Sequence, residues 1–136
     1  MRGPFLLLIL SIFVRCSSTH TDSLKTEKYI NQGRILYERH CSNCHQPDGT
    51  GLGKLIPPLN NDFPFQNLPI TVCAIKYGLK GPINIEGQLY NREMPRNEKL
   101  TSLEIAQITT FVTNSWGQQH EITDVHKIDS LLKACH

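Results

Sequence analysis

Apolar residues recur at helical spacing in four separate segments of the chain, whereas no apolar–polar alternation is long enough to indicate a β-strand. The predicted helices run from about Ser23 to His40, from Ile70 to Tyr77, from Thr101 to Trp116, and from about Thr123 towards the C-terminus. The pattern therefore predicts an all-α fold.

The helix that opens at Thr101 has the clearest boundaries. Its first residues read TSLE, in which the Thr101 hydroxyl and the Glu104 carboxylate form a capping box, and Gly117 ends the helix. Its apolar stripe consists of Ile105, Ile108, Val112 and Trp116. The last helix carries a similar stripe, formed by Val125, Ile128, Leu132 and Cys135. Both helices are therefore expected to bury one face.

A long loop separates the first two predicted helices. The stretch GTGLGKLIPPLNNDFPFQNLP, residues 49–69, holds four prolines and three glycines, too many for the interior of a helix. This composition suits a loop that wraps around something.

The N-terminal residues 1–15 are typical of a secretory signal peptide. Arg2 precedes an apolar run from Pro4 to Val14, which is shorter than the roughly 20 apolar residues that span a bilayer. We therefore expect an exported, periplasmic protein. Cleavage before Cys16 would create a lipoprotein with a polar tether over residues 16–24, although the charged Arg15 is unusual at a lipidation signal, so both a free and an anchored form remain open.

The charge of the chain excludes one class of partner. The 136 residues suffice for one modest domain, since a domain takes roughly 100 to 200 residues, and they carry a formal net charge of +2. Loss of residues 1–15 removes Arg2 and Arg15 and leaves equal numbers of basic and acidic residues. The excess positive charge belongs to the export signal, so no nucleic-acid partner is indicated.

The motif CSNCH, residues 41–45, is the main chemical signal. A structural zinc site needs four ligands, and no second ligand pair matches Cys41 and Cys44. A thioredoxin-type redox pair needs a βαβ context and gives His45 no role. Covalent haem uses every residue of the motif, because two thiols form thioethers and the imidazole binds iron. The motif therefore indicates attachment of one c-type haem.

Met94 is the candidate for the second axial ligand. It is the only methionine that remains once the signal peptide is removed, and Pro95 disfavours a helical conformation at Met94. A methionine is more often core filler, but the loop NREMPRNEK is polar. We therefore expect its thioether to bind the iron opposite His45.

With these motifs the chain resembles the mono-haem class I cytochromes c from about Lys25 to Gln118. The resemblance rests on CSNCH, GTGLGKLIPPL, YNREMP and LTSLEIAQITTFVTNSWG. It implies a fold in which helices surround one covalent haem while the N- and C-terminal helices cross. The corresponding domains are a cytochrome domain over residues 25–118 and a C-terminal helical extension over residues 119–136.

The resemblance also implies roles for individual residues. The carbonyl of Pro57 is expected to accept a hydrogen bond from the His45 imidazole, which fixes the tautomer of a ligating histidine, and Leu59 is expected to pack on the haem ring. Gly33, placed before Tyr37 at the family's spacing, is expected to lie where the two terminal helices cross, with Phe111 as its partner.

A histidine and a methionine together leave the iron no open coordination position, which argues against an enzyme. A methionine ligand also raises the reduction potential of a cytochrome. We therefore expect a one-electron carrier between a quinol-oxidising complex and a terminal oxidase or reductase. The alternatives are a haem-based gas or redox sensor, in which Met94 dissociates, and a dedicated haem subunit of a larger redox enzyme.

Two cysteines remain outside the haem motif and the N-terminal region, Cys73 and Cys135. Each lies on a predicted helix face, and exported proteins occupy compartments where disulfides persist. We predict that they form a disulfide, which would anchor the terminal helix. The alternative is a pair of free buried thiols.

Overall fold

A computed structural model describes residues 19–117 and 120–135 of the chain. Within them the elements are, in chain order, α1 (Thr19–His40), α2 (Ser42–His45), α3 (Phe63–Gln66), α4 (Leu68–Tyr77), β1 (Ile83–Ile85), β2 (Gln88–Tyr90), α5 (Ser102–Ser115) and α6 (Val125–Lys133). The four predicted helices are present as α1, α4, α5 and α6, so the all-α class is confirmed.

The first helix begins at Thr19, four residues before the predicted start at Ser23. Asp22 lies in its first turn, where a negative charge interacts favourably with the helix dipole, and Thr26 donates a hydrogen bond from its hydroxyl to the Asp22 carbonyl at 2.9 Å. Residues 19–24, which were expected to belong to a polar tether, are therefore helical.

A two-stranded hairpin is the one type of element that the sequence pattern missed. Strand β1 pairs antiparallel with β2, and the turn between them places Glu86 and Gly87 at positive φ, 51° and 84°. Turns with two positive φ values match the twist of a hairpin. Each strand has only three residues, which is too short for alternation to be recognised.

Helices α1 and α5 cross in close contact at Gly33. A Cβ atom placed on Gly33 would overlap the backbone carbonyl of Gln107 and would lie 2.7 Å from the Cβ of Phe111. Only glycine permits this approach, so the predicted role of Gly33 is confirmed.

Three aromatic rings close the core beside this crossing. Tyr37, Phe111 and Trp116 lie with ring centroids 5.3 to 5.4 Å apart, in tilted and edge-on arrangements that aromatic pairs favour. Tyr37 is completely buried, and its hydroxyl donates to the carbonyl of Gln46 at 2.6 Å. The cluster thereby links the helix crossing to the residue that follows the CSNCH motif.

The capping box at the start of α5 is also confirmed. The Glu104 amide donates to the Thr101 hydroxyl at 3.3 Å, and the Thr101 amide donates to the Glu104 carboxylate at 2.8 Å. This backbone hydrogen bond from Thr101 holds the pKa of Glu104 below its usual value.

Helix α6 packs against both α4 and α5. Ile128 is completely buried in the core, and the carboxylate of Asp124 caps the helix by accepting from the His126 amide at 2.8 Å. Cys73 of α4 and Cys135, just beyond α6, are joined by a disulfide with their Cα atoms 5.6 Å apart. The C-terminal extension therefore lies against the cytochrome-like part of the chain.

None of the helices in the described part of the chain is long and apolar enough to cross a membrane. The predicted signal peptide, residues 1–15, and the predicted lipidation site at Cys16 lie outside the described residues.

Candidate haem-binding site

An apolar cleft lies between the helices and the long loops. The predicted site residues that line it are Cys41, His45, Pro57, Leu59 and Met94. Residues as far apart in the chain as Cys41 and Met94 are thus brought to one cleft.

The CSNCH motif follows directly after α1. The Cys41 amide donates to the Tyr37 carbonyl at 2.8 Å, and the His45 amide donates to the Cys41 carbonyl at 2.9 Å, which forms the single turn α2. Cys41 lines the cleft, whereas Cys44 is exposed at the surface and is not among the lining residues. The turn therefore places the Cys41 thiol in the cleft and the Cys44 thiol at the protein surface.

The buried side chain of His45 is held in a defined orientation. Its Nδ1 lies 3.0 Å from the Pro57 carbonyl, and because a carbonyl only accepts, Nδ1 carries the proton and Nε2 keeps a free lone pair. Burial lowers the pKa of His45, although the bond to Pro57 opposes this shift. A neutral imidazole with a free Nε2 is the form that binds metals.

The loop that carries Pro57 is positioned by Gly51. Its amide donates to the His45 carbonyl at 2.9 Å, and its φ of +70° is favourable only for glycine. A Cβ at this position would lie 2.6 Å from the Pro57 carbonyl oxygen. The glycine therefore lets the Pro57 carbonyl reach His45.

The Cys41 thiol is partly buried. Burial raises its pKa to about 12, with a smaller contribution from neighbouring Cys44. The thiol is therefore protonated at neutral pH, and its environment suits an uncharged sulfur, as in a thioether.

Met94 enters the cleft from a separate loop. Its amide donates to the Leu79 carbonyl at 2.9 Å, and its carbonyl accepts from the Leu79 amide at 3.0 Å. The side chain is half-buried and lines the same cleft as His45. Two backbone hydrogen bonds thus fix the residue that was predicted to be the second ligand.

The remaining lining of the cleft suits a flat, mainly apolar group such as haem. It is formed largely by aliphatic side chains, among them Ile75, Ile108 and Val112. Thr109 also lines it, and its buried hydroxyl has no protein partner, which costs about 1–3 kcal/mol unless a further group supplies one. A thiol, an imidazole and a thioether line this cleft, and the second thiol of the motif, Cys44, lies one helical turn from Cys41 at the surface; these are the donors of a c-type haem.

Comparison with known proteins agrees with this geometry. The profile of the family described as "Cytochrome c" matches residues 30–116. The chain belongs to the cytochrome c family. It is a class I mono-haem cytochrome c and binds one covalent c-type haem, and the predicted fold is confirmed.

The chain is also similar to individual bacterial cytochromes c, at low sequence identity. Two cytochrome c-552 proteins from Thermus thermophilus are 28% identical to the chain over 95 residues, 66% of its length, and the match covers 72% and 64% of them. The cytochrome c subunit of a quinone alcohol dehydrogenase from Gluconobacter oxydans is 28% identical over 90 residues, 64% of the chain, which cover only 19% of that subunit.

The sequence interpretation missed much of the lining of the cleft, and part of that lining comes from two short elements. Ile83 and Ile85 come from strand β1, and Phe63 and Pro64 come from the single-turn helix α3. The signal for the hairpin was Gly87 between the segments INI and QLY, since glycine readily adopts the positive φ that a tight turn needs.

Proposed function

We propose that this cytochrome c is a one-electron carrier in which His45 and Met94 are the axial ligands and Cys41 and Cys44 form the thioethers. When bound, the haem supplies a single iron that exchanges one electron at a time. The chain orients the His45 ring through Pro57, packs Leu59 against the bound group and keeps water away with its aliphatic lining.

The observation that carries this proposal is that His45, at the end of α2, and Met94, in a separate loop, line the same apolar cleft. If both side chains bind the iron, no coordination position remains for a substrate. The arrangement therefore supports electron transfer and argues against an enzyme. Membership of a family of electron carriers supports the same conclusion.

The attachment of the cofactor is tested by extraction and mass spectrometry of the purified mature protein. Acid acetone is expected to leave all the haem on the polypeptide, because thioethers do not dissociate, and the intact mass is expected to equal one chain plus one haem. A Cys41→Ala/Cys44→Ala variant is the control, and its haem should pass into the organic phase. Haem extracted from the wild type would contradict the proposal.

The same mass measurement addresses the N-terminal region. We propose that residues 1–15 are removed on export to the periplasm, that the mature chain begins at Cys16, and that the cytochrome domain ends near residue 118, before a helical extension over residues 119–136. An added diacylglycerol mass would show an anchor on Cys16. An unmodified Cys16 would mean a soluble carrier, in keeping with the charged Arg15 before it.

The proposed partners are a quinol-oxidising complex as electron donor and a terminal oxidase or reductase as acceptor. A second candidate function, a dedicated haem subunit of a larger redox enzyme, is favoured by the similarity to the cytochrome c subunit from Gluconobacter oxydans. Co-purification from detergent extracts separates the two functions. A carrier is expected to dissociate from its partners at moderate ionic strength, whereas a stoichiometric complex with a dehydrogenase that survives gel filtration would identify a subunit.

A further inference from the structure

The disulfide and the loop that carries Met94 meet on one short helix, α4. Cys73 lies in the middle of this helix, and the residues that contact the Met94 loop lie at its C-terminal end and directly after it. Helix α4 is therefore in contact with both the crosslink and the loop of the proposed axial ligand.

The loop that carries Met94 is attached to the end of α4 mainly through backbone atoms. Besides the two hydrogen bonds between Met94 and Leu79, the Asn97 amide donates to the Lys76 carbonyl at 3.2 Å. The ammonium of Lys76 donates to the carbonyls of Glu98 and Leu100, both at 2.7 Å. The backbone of Met94 is therefore tied to Leu79, directly after α4, and the rest of its loop is tied to Lys76 near the end of the helix.

Gly78 shows how closely the two segments lie. Its φ is +77°, and a Cβ atom there would lie 2.5 Å from the Met94 carbonyl oxygen and 3.0 Å from the Arg96 nitrogen. The ligand loop thus lies directly on the end of α4, with no space for a side chain between them.

Helix α4 has ten residues, and isolated helices of this length are only marginally stable. One face is held by burial of Val72 and Ile75 in the core. Cys73 is held by the disulfide to Cys135, and α6 is itself fixed by the buried Ile128. The segment before α6 is fixed as well, because the Thr123 amide donates to the buried hydroxyl of Thr110 on α5 at 3.0 Å.

We propose that the Cys73–Cys135 crosslink and α6 act as a clamp that positions Met94 through α4. The inference rests on the proposed function, in which Met94 is an axial ligand. A local opening of its loop from α4 makes release of the thioether easier, and local opening is governed by the contacts of the segment that moves. The clamp lowers the population of the open state and so protects the iron from external ligands.

The test is imidazole binding to the ferric holoprotein, which requires Met94 to dissociate. The wild type is compared with a Cys73→Ser/Cys135→Ser variant, which removes the crosslink without leaving a free thiol. We expect the variant to bind imidazole more tightly by a factor on the order of five or more, the lower range of typical coupling between sites. A bond between the methionine sulfur and ferric iron gives a weak absorption band in the near infrared. The variant should lose this band at a lower imidazole concentration than the wild type.

A Leu36→Ala variant separates local positioning from loss of global stability. Leu36 is buried on α1 and does not line the cleft, so its truncation should lower the stability to unfolding while leaving imidazole affinity unchanged. Equal imidazole affinity in the wild type and the serine variant would overturn the clamp, as would an equal gain in the Leu36→Ala variant. Absence of the sulfur-to-iron band from the wild type would instead refute Met94 as the ligand.

Discussion

Replacement of Met94 by alanine is expected to abolish the near-infrared sulfur-to-iron band and to lower the reduction potential by an amount on the order of hundreds of millivolts, since axial ligands set haem potentials over a range of about 0.8 V. The ferrous variant should also bind carbon monoxide, which the wild type should exclude. The physical reason is that a thioether favours the reduced iron and occupies the sixth position.

The substitution Met94→Ala removes the thioether ligand but keeps the backbone hydrogen bonds that hold its loop. The hydrogen bonds between residue 94 and Leu79 involve backbone atoms only, so alanine retains them. Glu93→Gln is the matched control, because Glu93 is exposed and pairs only with exposed Lys80 across 3.2 Å. Visible and near-infrared spectra together with a potentiometric titration measure all three effects, and the control should match the wild type in each.

Two other outcomes would change the assignment. If the band survives in Met94→Ala, the ligand lies elsewhere and His120 or His126 becomes the candidate, although both side chains are exposed and neither lines the cleft. If the wild type itself binds carbon monoxide readily, Met94 dissociates under mild conditions. That result would favour the sensor function over the carrier.

The site was largely predictable where its chemistry is encoded by neighbouring residues. Cys41, Cys44 and His45 lie within five consecutive residues, so one helical turn keeps them close to one another whatever the rest of the fold does. Pro57 and Leu59 could be assigned only through the resemblance to a family, because the hydrogen bond to His45 spans 12 positions and depends on the turn at Gly51. Local sequence alone does not determine such a contact.

The parts that were missed depend on tertiary packing. Strand β1 has three residues, too few for a periodic signal, yet it supplies Ile83 and Ile85 to the cleft. The backbone attachment of the Met94 loop to Lys76 and Leu79 is equally invisible in the sequence, since backbone hydrogen bonds of a loop follow no side-chain pattern. The long helices α1 and α5, in contrast, were predicted because their apolar stripes extend over several turns.

The crossing of α1 and α5 predicts whether the substitution Gly33→Ala stabilises or destabilises the protein. Glycine is less favourable than alanine in a helix interior by about 1 kcal/mol, so Gly33→Ala would stabilise the protein if the position were merely tolerated. The structure predicts the opposite, because the added Cβ would overlap the Gln107 carbonyl, and a backbone atom cannot move aside as a side chain can. We expect a net loss of about 1–2 kcal/mol in the free energy of unfolding, because a backbone overlap puts the overpacking cost near the upper end of its usual range of about 1–3 kcal/mol and helix propensity offsets about 1 kcal/mol of it.

Denaturant unfolding of the ferric holoprotein measures this free energy, with Gln32→Ala as the matched control. Gln32 is the preceding residue of α1 and is exposed, so alanine there should change stability by no more than a few tenths of a kcal/mol. Because the overlap at Gly33 involves the backbone of α5, trimming Phe111 should not rescue Gly33→Ala, and the two substitutions together should be less stable than either alone. A stabilised Gly33→Ala variant would show that α1 and α5 do not approach as closely as the structure describes, and the tight crossing of these helices would have to be abandoned.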